Sequence, residues 1–296
     1  MRVVGVVALV LVGILTGCTS DSGPAAGHVS KRVVRTDLPL GPQPLTLRRP
    51  EGLVELYPWH ACSSTNGCWG ADHPPDDPPL TAAEGSVAFS FPQDGWVFEA
   101  AFTYPGAGRC GRTAHESLEA GDDGTYVVAA PGAAGTWDVT VSGRSDEGGS
   151  LMATFRWTTA ASDPGTDVVG DLTFLWPQRG VTSPPVLTLR GLAEDPPFAE
   201  AELILPDHPD IAPYVLHLGA FGCPGDGVVD LAQDDQLVGS RVLPGLHATE
   251  RVEVHLFFGD DEYVGTSVWP DDYLSHGSVQ QRLTWDPALP AWDGSP

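Results

Sequence analysis

Adjacent carboxylates are the first groups in this sequence able to do chemistry. Asp76-Asp77, Asp234-Asp235, Asp260-Asp261-Glu262 and Asp271-Asp272 all fall between apolar runs, in expected loops. Loop carboxylates ligate calcium through oxygen. Two of them at a fixed separation on a concave face would instead hydrolyse a glycosidic bond. Calcium loops alternate their ligands around a glycine turn, and none of these runs has that spacing. Solvated turns are the simpler account. The best weak metal candidates are Asp260, Asp261 and Glu262 at a hairpin tip, with Asp271 and Asp272. No cofactor is expected, with calcium the one alternative these loops allow.

Histidines and nucleophiles add little. His208, His217, His247 and His255 lie in the C-terminal half, and zinc would need them to converge. His255 sits at a polar position between Val254 and Leu256 and is expected to face solvent. The chain has no His-Glu-x-x-His pair, no Gly-x-Ser-x-Gly elbow and no phosphate-loop glycine pattern. Ser145 beside Asp146 and Glu147 reads as a turn. With no catalytic constellation, the expectation is a protein that is not an enzyme. One segment suits binding. Tyr57, Trp59, His60, Trp69 and His73 surround a loop from Cys62 to Cys68, and aromatic groups on a rigid loop make a contact surface. The alternative is that Trp59 and Trp69 only cover the end of a domain.

Strands must position these groups. Val87, Phe89 and Phe91 share a face, and Trp96, Phe98, Ala100, Phe102 and Tyr104 share another. Gln93-Asp94-Gly95 between them reads as a hairpin turn. Trp137, Val139 and Val141 alternate with polar residues, as do Leu151, Ala153, Phe155 and Trp157 beyond the turn at Ser145 to Gly149. Later runs repeat the period through Leu172, Leu187, Leu203, Leu216, Val252 and Leu283. No stretch keeps a 3.6-residue apolar period, and 28 Pro and 35 Gly punctuate the chain. The fold class is therefore all-β, with antiparallel strands that bury one face. Residues 161–167 carry no strand pattern and read as a linker between domains at 46–160 and 168–287, leaving 288–296 as a C-terminal tail. Some seven short strands on each side suggest two β-sandwiches in tandem.

Two motifs resemble immunoglobulin-like domains. Asp122-Asp123-Gly124-Thr125-Tyr126 is similar to their Asp-x-Gly-x-Tyr corner, and Gly135-Thr136-Trp137-Asp138-Val139 to the opening of their penultimate strand. Val128 stands where antibody domains carry a cysteine, so the resemblance is to the general sandwich.

At the N-terminus, Arg2 precedes an apolar run from Val3 to Leu15, which ends in Leu15-Thr16-Gly17-Cys18. This resembles the lipobox of bacterial lipoproteins. The resemblance implies a signal peptide at 1–17, cleavage before Cys18, and a diacylglyceryl group on its thiol. The apolar run is shorter than the ~20 residues a membrane helix needs. Residues 18–45 are rich in Ser, Gly, Pro and Ala and read as a flexible tether. Lys31, Arg32, Arg35, Arg48 and Arg49 could rest on anionic lipid or simply keep the tether solvated. With Cys18 lipidated, four cysteines remain and allow three pairings. The turn-forming Asn66-Gly67 favours Cys62–Cys68, which leaves Cys110–Cys223.

From residue 50 onward there are 9 Arg, no Lys and 37 Asp plus Glu, a net charge of −28. Such a charge repels phosphates and argues against nucleic-acid binding. The single Lys31 and single Asn66 suggest a GC-rich genome. Together these features resemble the lipid-anchored surface proteins of high-GC bacteria. The resemblance implies an extracytoplasmic binding or structural module on the outer face of the cytoplasmic membrane, with an envelope protein, peptide or glycan as partner. The alternatives are a calcium-dependent adhesive module and an envelope hydrolase built on loop carboxylates.

Overall fold

Alternating side chains set the architecture, since one apolar face per strand can be buried only against another such face. In the computed structural model of the chain, the residues described are 43–49, 52–63, 67–81, 85–108, 110–145, 148–163, 166–174, 185–219, 223, 225–232, 251–268, 273–275 and 279–295. No helix occurs among them, so none is long and apolar enough to cross a membrane. The expected signal peptide, Cys18 and the tether up to residue 42 lie outside the described residues, as do Asp234, Asp235, His247, Asp271 and Asp272.

The N-terminal half is antiparallel β-structure in two sheets. Strands β1 (Leu45–Arg49), β2 (Gly52–Leu56), β6 (Ser86–Ser90) and β9 (Thr125–Ala129) form one antiparallel sheet, in the order β2-β1-β6-β9. A second sheet runs β4 (Gly67–Gly70), β3 (His60–Ser63), β11 (Ser150–Thr159), β10 (Gly135–Ser145), β7 (Trp96–Thr103), β8 (Ala114–Leu118), and the short β5 (Leu80–Thr81) lies parallel to β11. The two sheets share one core. Leu45, Leu47, Phe89 and Val128 face Phe102, Val139, Phe155 and Trp157 across it. Tyr126 reaches over that core, and its hydroxyl donates to Trp96 O at 2.9 Å.

One local expectation is corrected. Gln93-Asp94-Gly95 does not close a hairpin, because β6 belongs to the first sheet and β7 to the second. The segment is a corner between sheets. A turn sequence specifies a reversal of direction, whereas the partner each strand takes is fixed by the shared core.

The C-terminal half departs from a second tandem sandwich. Strands β12 (Val169–Phe174), β13 (Val186–Arg190), β14 (Glu200–Ile204), β15 (Tyr214–Leu218), β16 (Val228–Ala232), β17 (Arg251–Phe258), β18 (Asp261–Val268) and β20 (Val279–Asp286) pair antiparallel in the order β12-β13-β16-β15-β14-β17-β18-β20. The first half of β20 then pairs with β12, from Phe174↔Val279 to Gly170↔Leu283, and closes the ring. The result is an eight-stranded barrel, with β19 (Tyr273–Ser275) added beside β20. Closure removes the two edges a sandwich sheet would leave unpaired. Leu172, Leu187, Leu203, Leu231, Val254 and Leu256 fill the interior. Trp285 lies against β12 and β18, where a Cβ on Gly170 or Gly265 would come within 2.6 or 2.8 Å of its ring. Both positions therefore need glycine.

Segments without strand pattern tie the halves together. Within 161–167, Asp167 N donates to His115 O and Thr166 Oγ1 to Trp292 O. The segment 288–295 runs over both cores. Leu289 belongs to the barrel core, and Trp292 to the sandwich core beside Trp137. Disulfides join Cys62 to Cys68 and Cys110 to Cys223, and the second spans the two halves.

Candidate functional site

Where the outer face of the sandwich meets the outer face of the barrel, the strands present charge. Glu99 on β7 and Ser117 on β8 are register partners, and His115 follows on the same face of β8. From the barrel come Asp171 on β12, Arg282 opposite it on β20, and Arg190 on β13. In sequence each is the polar member of an alternating strand. The tertiary contact buries them: Asp171 is 0% exposed, His115 6% and Glu99 8%.

The four central groups form a ring of alternating charge. Arg190 Nη2 donates to Asp171 Oδ2 at 2.5 Å and to Glu99 Oε2 at 3.2 Å. Arg282 Nε donates to Asp171 Oδ1 at 2.7 Å and its Nη2 to Glu99 Oε2 at 3.1 Å. Two guanidinium groups thus each bridge the same two carboxylates, one from each half of the molecule. Arg282 Nη1 also donates to Ser117 Oγ at 2.6 Å. His115 Nδ1 lies 2.7 Å from Glu99 Oε1, and Arg144 approaches Asp171 to 3.8 Å.

Burial alone would neutralise these groups. For Glu99 it pushes the carboxyl up, but the His115 hydrogen bond and the charges of Arg190 and Arg282 outweigh it and hold the group well below the usual carboxylate range. Arg190 is likewise discharged by burial, yet Glu99 and Asp171 keep its proton more firmly than usual. At the margin the balance reverses. Burial raises Asp167, and the Ser117 N–H and Arg282 offset it only in part. Burial also pushes Glu116 up to about 8, against the pull of the Ala129 N–H, and Asp167 adds to the rise. Glu116 lies on the inner side of β8, and both its oxygens accept from Ala129 N on β9, at 3.0 and 3.1 Å.

Beside the ring opens a cleft of about 560 Å³. Glu99, Arg144, Asp167 and Arg282 give it a charged wall, and Phe98, Leu283 and Trp285 an apolar one. Ser117, Ser142, Thr166 and Thr284 add hydroxyls. None of these residues is among the candidates the sequence offers. The only local signal is a charge inside an apolar strand, as in Gly170-Asp171-Leu172, and that pattern is shared by every solvated strand face.

The residues singled out from sequence lie elsewhere. Trp59 turns to β11, where its Nε1 donates to Thr154 Oγ1 at 3.0 Å, and its ring stands 6.0 Å from His60. Trp69 pairs with Ala61 in register, so it lies on the opposite face of the ribbon from His60. Tyr57 bonds to Glu55, and His73 lies 3.0 Å from Pro74 O. The five therefore do not form one surface. Asp76 and Asp77 are exposed. At the β17–β18 tip, Asp260 and Asp261 are exposed, while Glu262 is bound by His255 Nδ1 at 2.9 Å. His255 Nε2 meets Glu253 at 2.6 Å, so His255 is clamped between two carboxylates rather than free in solvent. Burial lowers its basicity, but the two glutamates outweigh that and raise its pKa. His217 has its own partner, Glu200 at 3.4 Å. Among the described residues, the one set of three or more His, Cys, Asp or Glu with ligand atoms close enough for a metal is His60, Cys62 and Cys68.

No family model matches the chain, and no curated protein matches it. Among solved structures, a crystal structure of chicken CNTN1 FN1-FN3 domains aligns over 82% of this chain and 90% of that one, at 11% identity and a TM-score of 0.20. A likeness of that degree carries no argument about fold or function.

Proposed function

We propose that the chain is a lipid-anchored, non-enzymatic binding module of the bacterial cell envelope, which takes a small ligand or the end of a peptide or glycan chain in the cleft between sandwich and barrel. The cleft carries the reading. Its volume falls in the range of ligand pockets (roughly 300–1,000 Å³), and such pockets favour the junction of two cores. Carboxyls with displaced acidity along a cleft wall are a further mark of a binding site. The ring of Glu99, Arg190, Asp171 and Arg282 satisfies its own charges. That suits a rigid floor better than proton exchange, and so favours binding over catalysis.

The anchor rests on Leu15-Thr16-Gly17-Cys18, and the immunoglobulin-like character of the sandwich on the Tyr126 corner. Tryptophan fluorescence of the full chain, titrated with muropeptides and envelope glycan fragments, tests the cleft. Saturable binding is expected, and Ser142→Trp, which fills the cleft, should abolish it without lowering Tm. If no fragment binds, or if the filled variant binds as well, the cleft reading fails. Cys18→Ala should move the protein from the membrane to the soluble fraction, and equal retention would overturn the anchor.

A further inference from the structure

The β3–β4 ribbon carries a second arrangement that owes nothing to the cleft. Register places Cys62 directly opposite Cys68, and His60 directly opposite Met152 on β11. Ala61 between them is buried in the core, so His60 and Cys62 point outward, on the face that Met152 shares. His60 Nε2 lies 3.4 Å from Cys62 Sγ. The ligand atoms of His60, Cys62 and Cys68 all fall within 4.8 Å of one another. Met152 is 38% exposed, and the chain has only 2 Met. A thioether exposed opposite an imidazole, which itself lies against a cysteine sulfur, adds a soft donor at the surface.

We propose that His60, Cys62, Cys68 and Met152 form a thiol-gated site for monovalent copper, closed in the disulfide form and opened by a dithiol. Two thiolates, a thioether and an imidazole are soft donors that select Cu(I) over harder cations. Ligand atoms around one metal, at bonds of roughly 2.0–2.3 Å, stand about 3.3–3.8 Å apart. His60 Nε2 already stands at that spacing from Cys62 Sγ, at 3.4 Å; opening the disulfide lets the two sulfurs part to it, and Met152 reaches in from its register position beside His60.

The chemistry balances simply. A dithiol passes two electrons and two protons to the Cys62–Cys68 bond and becomes a disulfide itself. Two thiols result. On binding Cu(I) both release their protons to water, and the copper does not change oxidation state. Cys68 is exposed, so the attacking thiolate has access. The ribbon is held independently of the disulfide. Trp59 N donates to Met152 O at 2.9 Å, and Ala71 N to Trp59 O at 2.8 Å. A Cβ at Gly70 would come 2.1 Å from Trp59 O, so the strands approach here as only glycine allows.

The test uses the full chain, reduced by a dithiol that is then removed without air. Cu(I) is offered as its bicinchoninate complex. One equivalent should pass to the reduced protein, with an ultraviolet thiolate-to-copper band, and none to the oxidised protein. Cys62→Ser with Cys68→Ser should remove that equivalent although Cys110 and Cys223 are still reduced. Met152→Leu should bind about tenfold or more weakly, a difference of about 1.4 kcal/mol. Near-ultraviolet circular dichroism checks that each variant is folded. Uptake by the oxidised chain, retention of the equivalent by the double serine variant, or Zn²⁺ binding in preference to Cu(I) would each overturn the site.

Discussion

Sandwich and barrel are built from the same kind of strand, yet they solve the problem of unpaired edges differently. In the sandwich, β4 ends a sheet and is exposed along its length, and β2 ends the other. The barrel has no such edge in its ring, because β20 turns from β18 to β12. The difference teaches that alternation specifies a buried face but not the shape of the sheet that buries it. A further contrast lies in their polar groups. The charges of the ring between the halves are paired at every step, whereas inside the barrel Gln281 is fully buried and its two amide atoms, like Ser267 Oγ and Trp285 Nε1, have no partner among the described residues.

The largest test of this comparison is to hollow out each core. Trp157→Ala in the sandwich should cost about 4 kcal/mol, and Leu231→Ala in the barrel about 3 kcal/mol. The strap through Leu289 and Trp292 and the Cys110–Cys223 bond couple the halves. Calorimetry should therefore show one transition that both changes lower together. Two transitions, each moved by one variant only, would make the halves independent.

An effect smaller than that of Trp157→Ala should come from the junction. Asp171→Ala leaves Arg190 and Arg282 with Glu99 as their remaining ring partner, and loss of one member of a buried pair costs about 3 kcal/mol. Denaturant titration should show that loss. A neutral result would mean that the two faces are held by apolar contact alone.

The smallest expected effect is on pH dependence, and its sign follows from the carboxyls. Glu116 has its folded pKa raised from 4.5 to about 8, so the folded state holds a proton the unfolded chain releases. Its contribution is complete below 4.5 and is lost as pH rises through 8. Asp167, also raised, acts in the same direction. Glu99, held low, stabilises above its ordinary value and loses that as pH falls. Stability should therefore peak at about pH 5. Because Glu116 keeps part of its solvent, Glu116→Gln should gain roughly 2 kcal/mol at pH 8 and little at pH 5. Melting curves across pH check this, and a variant that destabilises at pH 8 would contradict it.

The strands themselves were legible. Trp96–Thr103, Gly135–Ser145 and Ser150–Thr159 stand where alternation put them, and so do the turns at Ser145 to Gly149 and Gly259-Asp260. Both cysteine pairs also matched, because a turn sequence between Cys62 and Cys68 restricts the choice to one. The site was not legible. Glu99, His115, Asp171, Arg190 and Arg282 occupy outward positions, and an outward charge reads the same whether water or another sheet lies beyond it. The aromatic ribbon drew attention by composition, yet Trp69 and His60 face opposite ways, because neighbouring residues on a strand alternate sides.

What the sequence alone determined is therefore local: period two, the turn positions, and the sides on which greasy residues fall. These depend on contacts a few residues apart, which side-chain type dictates directly. Only the tertiary structure decided that the second half closes on itself, and that polar outer faces meet and lock as a ring of ion pairs. Both depend on strands distant in the chain, such as β12 and β20, whose pairing is chosen by the free energy of the whole arrangement rather than by either segment.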